Sequence, residues 1–130
     1  MTEYILAIDQ GTTGTTALLV GHDLRIHGRQ TIDFQQHFPK PGWVEHDPEE
    51  IWASSRKAIL YLLEKTGIGT NQIQAIGITN QRETTLLWER NDGRPISNAI
   101  VWQCRRTAEI CQNLKKQGLE ETYRRHTGLV

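Results

Sequence analysis

The apolar positions of this chain come in short blocks whose period changes from strand-like to helical and back. Residues 5–8 (Ile-Leu-Ala-Ile) and 17–20 (Ala-Leu-Leu-Val) are unbroken apolar runs, the pattern of strands covered on both faces. Two glycines and four threonines separate them, which predicts a tight turn between paired strands. After a Gly21-His22-Asp23 turn, residues 25–34 read as a third strand, so the chain should open with an antiparallel three-stranded meander. Residues 37–48 carry Pro39, Pro41, Gly42 and Trp43 and read as an ordered loop, with Trp43 a structural plug or part of a ligand wall.

A helix start follows. Asp47 can cap it, Pro48 suits its first position, and Glu50 can complete a capping box. Ile51, Trp52, Ser55, Ala58, Ile59, Leu62 and Leu63 then recur at helical spacing as one apolar stripe, with Gly67 as the stop. Residues 73–79 form another short apolar strand. Residues 84–88 run into an Asn91-Asp92-Gly93-Arg94-Pro95 turn, from which 96–102 can pair back. Residues 104–117 read as a helix with Ala108, Ile110, Cys111 and Leu114 inward, ended by Gly118, and 119–126 as one more short helix. Strands and helices in this order predict an α/β layered fold.

Length and charge narrow the picture. A chain of 130 residues can form one domain with a core. Fifteen basic against fifteen acidic residues leave no net charge, so electrostatics gives no reason to expect nucleic acid or an acidic membrane as partner. On one helix, Cys104 and Cys111 would lie about 10 Å apart along its axis, too far for a disulfide, which suggests reduced thiols in a cytoplasmic protein. The sequence shows no metal-ligand spacing, no signal peptide and no apolar run of membrane-spanning length.

Two places carry candidate chemistry. The turn around Thr12, Thr13 and Gly14 offers backbone amides and hydroxyls to an anion, and Asp9 at the end of the first strand could hold a hydrated Mg²⁺ beside bound phosphates. An ordinary hairpin with a polar turn would use the same residues. It is not a Walker loop, since no Lys follows the glycines and no helix follows the turn. Arg82 and Glu83 follow the strand at 73–79, and Trp102 follows another apolar run. Strand ends are where α/β folds place ligands. A donor fork, a carboxylate and an apolar face suit a polyol, whose hydroxyls both donate and accept. A surface ion pair beside a packed tryptophan is the plainer alternative. Arg105 and Arg106 fit helix-start or internal hydrogen-bonding roles better than ligand contact.

Four segments carry a wider resemblance: Asp9-Gln10-Gly11-Thr12-Thr13, residues 39–48 (PKPGWVEHDP), residues 76–85 (IGITNQRETT) and residues 98–107 (NAIVWQCRRT). In this order they resemble the N-terminal part of the glycerol kinases, in the sugar and polyol kinase family. The resemblance implies an α/β, ribonuclease H-like lobe of the actin/hexokinase type, its mixed sheet starting with the antiparallel meander and flanked by helices. Residues 1–130 would be the N-terminal part of that first lobe. It implies ATP phosphate contacts at Thr12, Thr13 and Gly14, Mg²⁺ held through water near Asp9, and glycerol held by Arg82, Glu83 and Trp102. The implied reaction is ATP-dependent phosphorylation of glycerol to sn-glycerol 3-phosphate, by a cytoplasmic enzyme that is a homo-oligomer at full length.

Relatives often carry Ser at Gly14 and Arg at Thr16, so a phosphate role at Thr16 is in question. The family's catalytic aspartate would lie beyond Val130, so the chain reads as an excised first portion, inactive by itself and prone to associate. Another polyol or sugar kinase of the same family, and a non-catalytic binding module, are the competing readings.

Overall fold

The computed structural model describes residues 3–129. Its centre is a four-stranded sheet in the order β3-β2-β1-β5, built from β1 (Tyr4–Gln10), β2 (Gly14–Gly21), β3 (Ile26–Asp33) and, after the connecting elements, β5 (Ile73–Asn80). β1 and β2 pair antiparallel with Leu6 opposite Leu19, and β2 and β3 pair antiparallel in turn, so the predicted meander forms. β5 returns parallel to β1, with Asp9 beside Thr79 and Gln10 beside Asn80. The connection between them is α1 (Pro48–Thr66) followed by a 3-10 turn (Thr70–Gln72).

α1 starts as expected: the Asp47 carboxylate accepts from the Glu49 amide at 2.8 Å. Glu50, expected to close a capping box, instead faces His37, with Oε2 3.6 Å from Nε2. Gly67 ends the helix at φ +68, its amide bonded to the Leu63 carbonyl. The residues that meet the sheet are Ser54, Ala58 and Leu62, which join Leu6, Ala17 and Leu19 in the core. Trp52, placed on the inward stripe from its spacing, is exposed and faces Trp88 and Pro95 across a shallow cleft.

The apolar runs of the sheet are not covered on both faces, contrary to the expectation from their composition. Ile5 is exposed on one side, and on the α1 side Ile76 and Ile78 of β5 remain 60% and 72% exposed. A helix is about 10–12 Å wide while strands lie about 4.8 Å apart, so one helix spans two to three strands. α1 packs chiefly on β2 and β3, which leaves β5 beyond its reach.

The loop at 37–48 contains one short strand, β4 (Glu45–His46), which pairs antiparallel with β6 (Ala99–Ile100). The hairpin expected across 84–102 is loose. Thr85 bridges Ile100 and Trp88 bridges Pro95, without a continuous ladder between them. The predicted helix from residue 104 starts later, as α2 (Ala108–Lys116). The Arg105 amide bonds the Gly42 carbonyl at 2.7 Å and Arg106 turns back to Glu45, so the chain cannot coil at 104–107. Cys104 and Cys111 therefore do not share a helix; both are free thiols. α2 and α3 (Glu120–Thr127) bury none of their residues, so Ala108, Ile110 and Cys111 are exposed and only Leu114 is half-buried.

Candidate functional site

Because β1 and β5 are adjacent, parallel and in register, their C-terminal ends open side by side. The loops that leave them meet in a cleft of about 410 Å³ lined by Asp9, Gln10, Gly11, Thr12, Asn80, Gln81, Arg82, Glu83 and Trp102. The hairpin turn and the Arg82-Glu83 corner, read separately along the chain, thus share one cavity. Asp9, Thr12, Arg82, Glu83 and Trp102 are all brought into it. Thr13 and Gly14 follow directly but lie outside its lining; the Thr13 carbonyl accepts from the Phe34 amide at 3.2 Å.

The turn spends part of its own donor capacity. The Gly11 amide bonds the Gly14 carbonyl at 3.0 Å, and the Gln10 side chain donates to the Gly11 carbonyl at 2.7 Å. The Thr12 and Thr13 amides take no partner among the described residues, so they are the ones left for an anion. A Cβ at Gly14 would stand 2.7 Å from the Ile32 carbonyl oxygen, so glycine lets β2 and β3 close at the base of the turn. The Thr16 hydroxyl is engaged along the sheet, 2.9 Å from that of Thr31, on the face it shares with its cross-strand partner Asp9.

The opposite wall is held in an uncommon backbone shape. Glu83 sits at φ +51, a left-handed conformation that a non-glycine residue adopts at some cost and that recurs at ligand sites. Gln81 supports the corner from beneath. Its side chain is buried and its amide nitrogen lies 3.1 Å from Nδ1 of His46, which is wholly buried and packs edge-on against Phe34. In that arrangement the amide donates, so Nδ1 accepts and the imidazole is neutral. Burial pushes the His46 pKa down, nearby His37 adds to the shift, and Glu50 opposes it. Neither His46 nor Gln81 was singled out as a site residue. Gln81 stands within the Asn80-Gln81-Arg82-Glu83 motif, but nothing near His46 in the sequence marks its contact 35 residues away.

The Trp102 loop is anchored by the residues that follow it. Arg106 donates to Glu45 at 2.6 Å and to the Cys104 sulfur at 2.9 Å, and its guanidinium lies 3.8 Å from the centre of the Trp43 ring. Lys40 stands over the same ring at 4.7 Å. Trp43 is therefore a structural plug, outside the cleft lining. The Arg106 guanidinium, helped by the Asn98 amide, holds the Glu45 carboxyl below its usual range although burial works the other way. Burial pushes the Cys104 thiol up, but the Arg106 and Val44 amides and the Arg106 guanidinium outweigh it and bring the thiol below its ordinary value.

The cleft thus has hydroxyl and amide donors at Thr12, a donor-acceptor couple at Arg82 and Glu83, the Trp102 indole, and the Asp9 carboxylate. Such a site can hold an anion and a polyol together. The N-terminal domain of the FGGY family of carbohydrate kinases matches residues 4–130.

This chain belongs to that family.

Over its whole length it is 58% identical to the glycerol kinase of Escherichia coli O8 (strain IAI1), and covers 26% of that protein. The same figures hold for the glycerol kinase of Shigella dysenteriae serotype 1 (strain Sd197). Among solved structures, Plasmodium falciparum glycerol kinase with ADP superposes with a TM-score of 0.72 at 35% identity, over 87% of this chain and 23% of that one. Gluconate kinase from Lactobacillus acidophilus superposes with a TM-score of 0.86 at 25% identity, over 96% of this chain and 25% of that one. These neighbours are sugar kinases of the actin/hexokinase-like ATPase fold, and the mixed sheet with its opening meander and flanking helices is the fold class that the sequence predicted. The chain spans about a quarter of the length of the curated relatives it matches.

Proposed function

We propose that residues 1–130 are the N-terminal part of the first lobe of an ATP-dependent glycerol kinase, which makes sn-glycerol 3-phosphate and ADP. The observation that carries this reading is the shared cleft between the hairpin turn and the Arg82-Glu83 corner, in a chain 58% identical to glycerol kinases.

In this reading Arg82 donates to glycerol hydroxyls, Glu83 accepts from them, and Trp102 covers the carbon chain. The Thr12 and Thr13 amides and hydroxyls receive the ATP phosphates, with the backbone of Gly14 closing the turn. No group of three or more His, Cys, Asp or Glu side chains that could hold a metal occurs among the described residues. Asp9 stands in the cleft as a carboxylate without a cation partner among the described residues, which fits Mg²⁺ carried mainly by water and phosphate oxygens. Bound there, Mg²⁺ would neutralise phosphate charge as the γ-phosphoryl leaves. The chain's own residues act by position: they bring a terminal hydroxyl and a phosphate into one cleft, and most of the rate advantage of phosphoryl transfer comes from such positioning.

The resemblance places the base that activates the hydroxyl beyond Val130, so the isolated chain is expected to show no turnover. No helix among the described residues is long and apolar enough to cross a membrane, and a cytoplasmic homo-oligomer is the expected setting.

The test is ATP-dependent phosphorylation over a panel of glycerol, gluconate, xylulose and other small polyols, by the full-length protein and by the isolated chain. Activity of the full-length protein on glycerol above the others supports the proposal. The good superposition with gluconate kinase favours a second reading, a kinase for a different polyol or sugar, and a preference for another member of the panel would establish it. Measurable turnover by the isolated chain would overturn the placing of the base.

A further inference from the structure

Trp102 and Thr12 are ninety residues apart, yet the indole Nε1–H donates to the Thr12 hydroxyl oxygen at 3.1 Å. Both side chains line the cleft. The direction of this bond is fixed by chemistry. An indole N–H can only donate, so the Thr12 hydroxyl must accept, and its own proton is free to turn elsewhere. No described residue accepts that proton. The neighbouring Gly11 amide is already spent on the Gly14 carbonyl, so the hydroxyl proton is one of the few donors the turn can still offer an anion.

We infer that Trp102 is a positioning residue for the phosphate side of the site, its indole N–H holding the Thr12 hydroxyl as an acceptor so that the hydroxyl proton is presented to the nucleotide's terminal phosphates. This rests on the reading in Proposed function, which gives Trp102 only a wall of the polyol pocket. A polyol packed against the indole face fixes the ring, the ring fixes the hydroxyl, and the hydroxyl meets the phosphate. Occupancy of one half of the cleft therefore favours occupancy of the other through one hydrogen bond, and the coupling is reciprocal.

The test uses the full-length enzyme and four forms: wild type, Trp102→Phe, Thr12→Val and the double variant, with Thr12→Ser as the conservative control. Kd for ATP is measured with and without saturating glycerol, along with kcat and both KM values. Phe keeps an aromatic wall and loses the N–H; Val keeps the shape of Thr and loses the hydroxyl. Trp102→Phe is expected to weaken ATP binding about three- to tenfold in the presence of glycerol, the effect of losing one hydrogen bond. It should also reduce the gain in ATP affinity that glycerol brings. In the Thr12→Val background the same change should leave ATP affinity unaltered, while Thr12→Ser should preserve the wild-type coupling. A merely structural or wall role would alter KM for glycerol alone. That result, or independent multiplication of the two single effects on ATP, overturns the inference while leaving the kinase reading intact. Absence of glycerol phosphorylation by wild type would remove both.

Discussion

Thr15 begins the buried face of β2, just after the turn between β1 and β2, and it is tied to α1 by a hydroxyl chain whose direction can be worked out. Thr15 Oγ1 lies 2.9 Å from Ser54 Oγ, with the two residues 0% and 3% exposed. Ser54 gives its only proton to the Ile51 carbonyl at 2.8 Å, and Ser55 gives its own to the same carbonyl at 2.9 Å. Neither serine has a second proton, so Thr15 must donate to Ser54. Thr15→Val keeps the side-chain shape and removes that donor, leaving the buried Ser54 oxygen with an unused acceptor lone pair. Unmaking one buried hydrogen bond in this way costs about 1–2 kcal/mol. Ser54→Ala leaves the Thr15 proton with only Ser55, at 3.4 Å, and should cost about 1 kcal/mol.

Removing both partners leaves no orphan, so the double variant should lose less than the sum of the single losses, by about 1 kcal/mol. Urea unfolding of all four forms, followed by circular dichroism at 222 nm, measures the cycle. Additive losses, or a Thr15→Val chain as stable as wild type, would refute the assigned direction and show that the hydroxyls do not depend on each other.

Three further outcomes can be checked. His46 is held neutral in the fold, with its pKa pushed below the usual 6.5 by burial; its stabilising share is fully present above about 6.5 and declines as pH falls through the folded value. A His46→Gln chain should lose that dependence, so that its stability deficit relative to wild type shrinks as pH falls below about 6.5. Glu45, held below its usual 4.5 chiefly by Arg106, contributes stability above 4.5 that vanishes as pH drops through its lowered value; Glu45→Gln should flatten the acid limb, and an unchanged limb would contradict the pairing. At Gly28 a Cβ would come within 2.8 Å of the Leu62 side chain and 2.6 Å of Thr66, so Gly28→Val should overpack the β3–α1 contact and cost about 1–3 kcal/mol in the same urea assay, whereas a neutral result would mean that the helix shifts freely.

What could be read along the chain was what short-range chemistry decides. The meander followed from apolar runs around a Gly-Thr turn, and the start and stop of α1 from Asp47, Pro48 and Gly67, because turns and caps are satisfied within a few residues. The cleft residues were found through motifs at strand ends and through the family resemblance, yet their meeting depends on β5 lying parallel and in register beside β1. Apolar content was a poor guide to burial: Trp52 and Ile110 read as inward and are exposed, and Ile76 and Ile78 of an apolar strand are exposed as well, since hydrophobicity states a need for cover and not which layer supplies it. The helix expected from Cys104 lost its first turn to Gly42 and Glu45, some sixty residues earlier in sequence. Composition and local pattern determined which elements form and where most of them begin and end. Tertiary structure alone decided which strand ends share an opening, which faces stay bare, and that a tryptophan reaches a threonine ninety residues away, because those contacts depend on how whole elements stack and no local period encodes that.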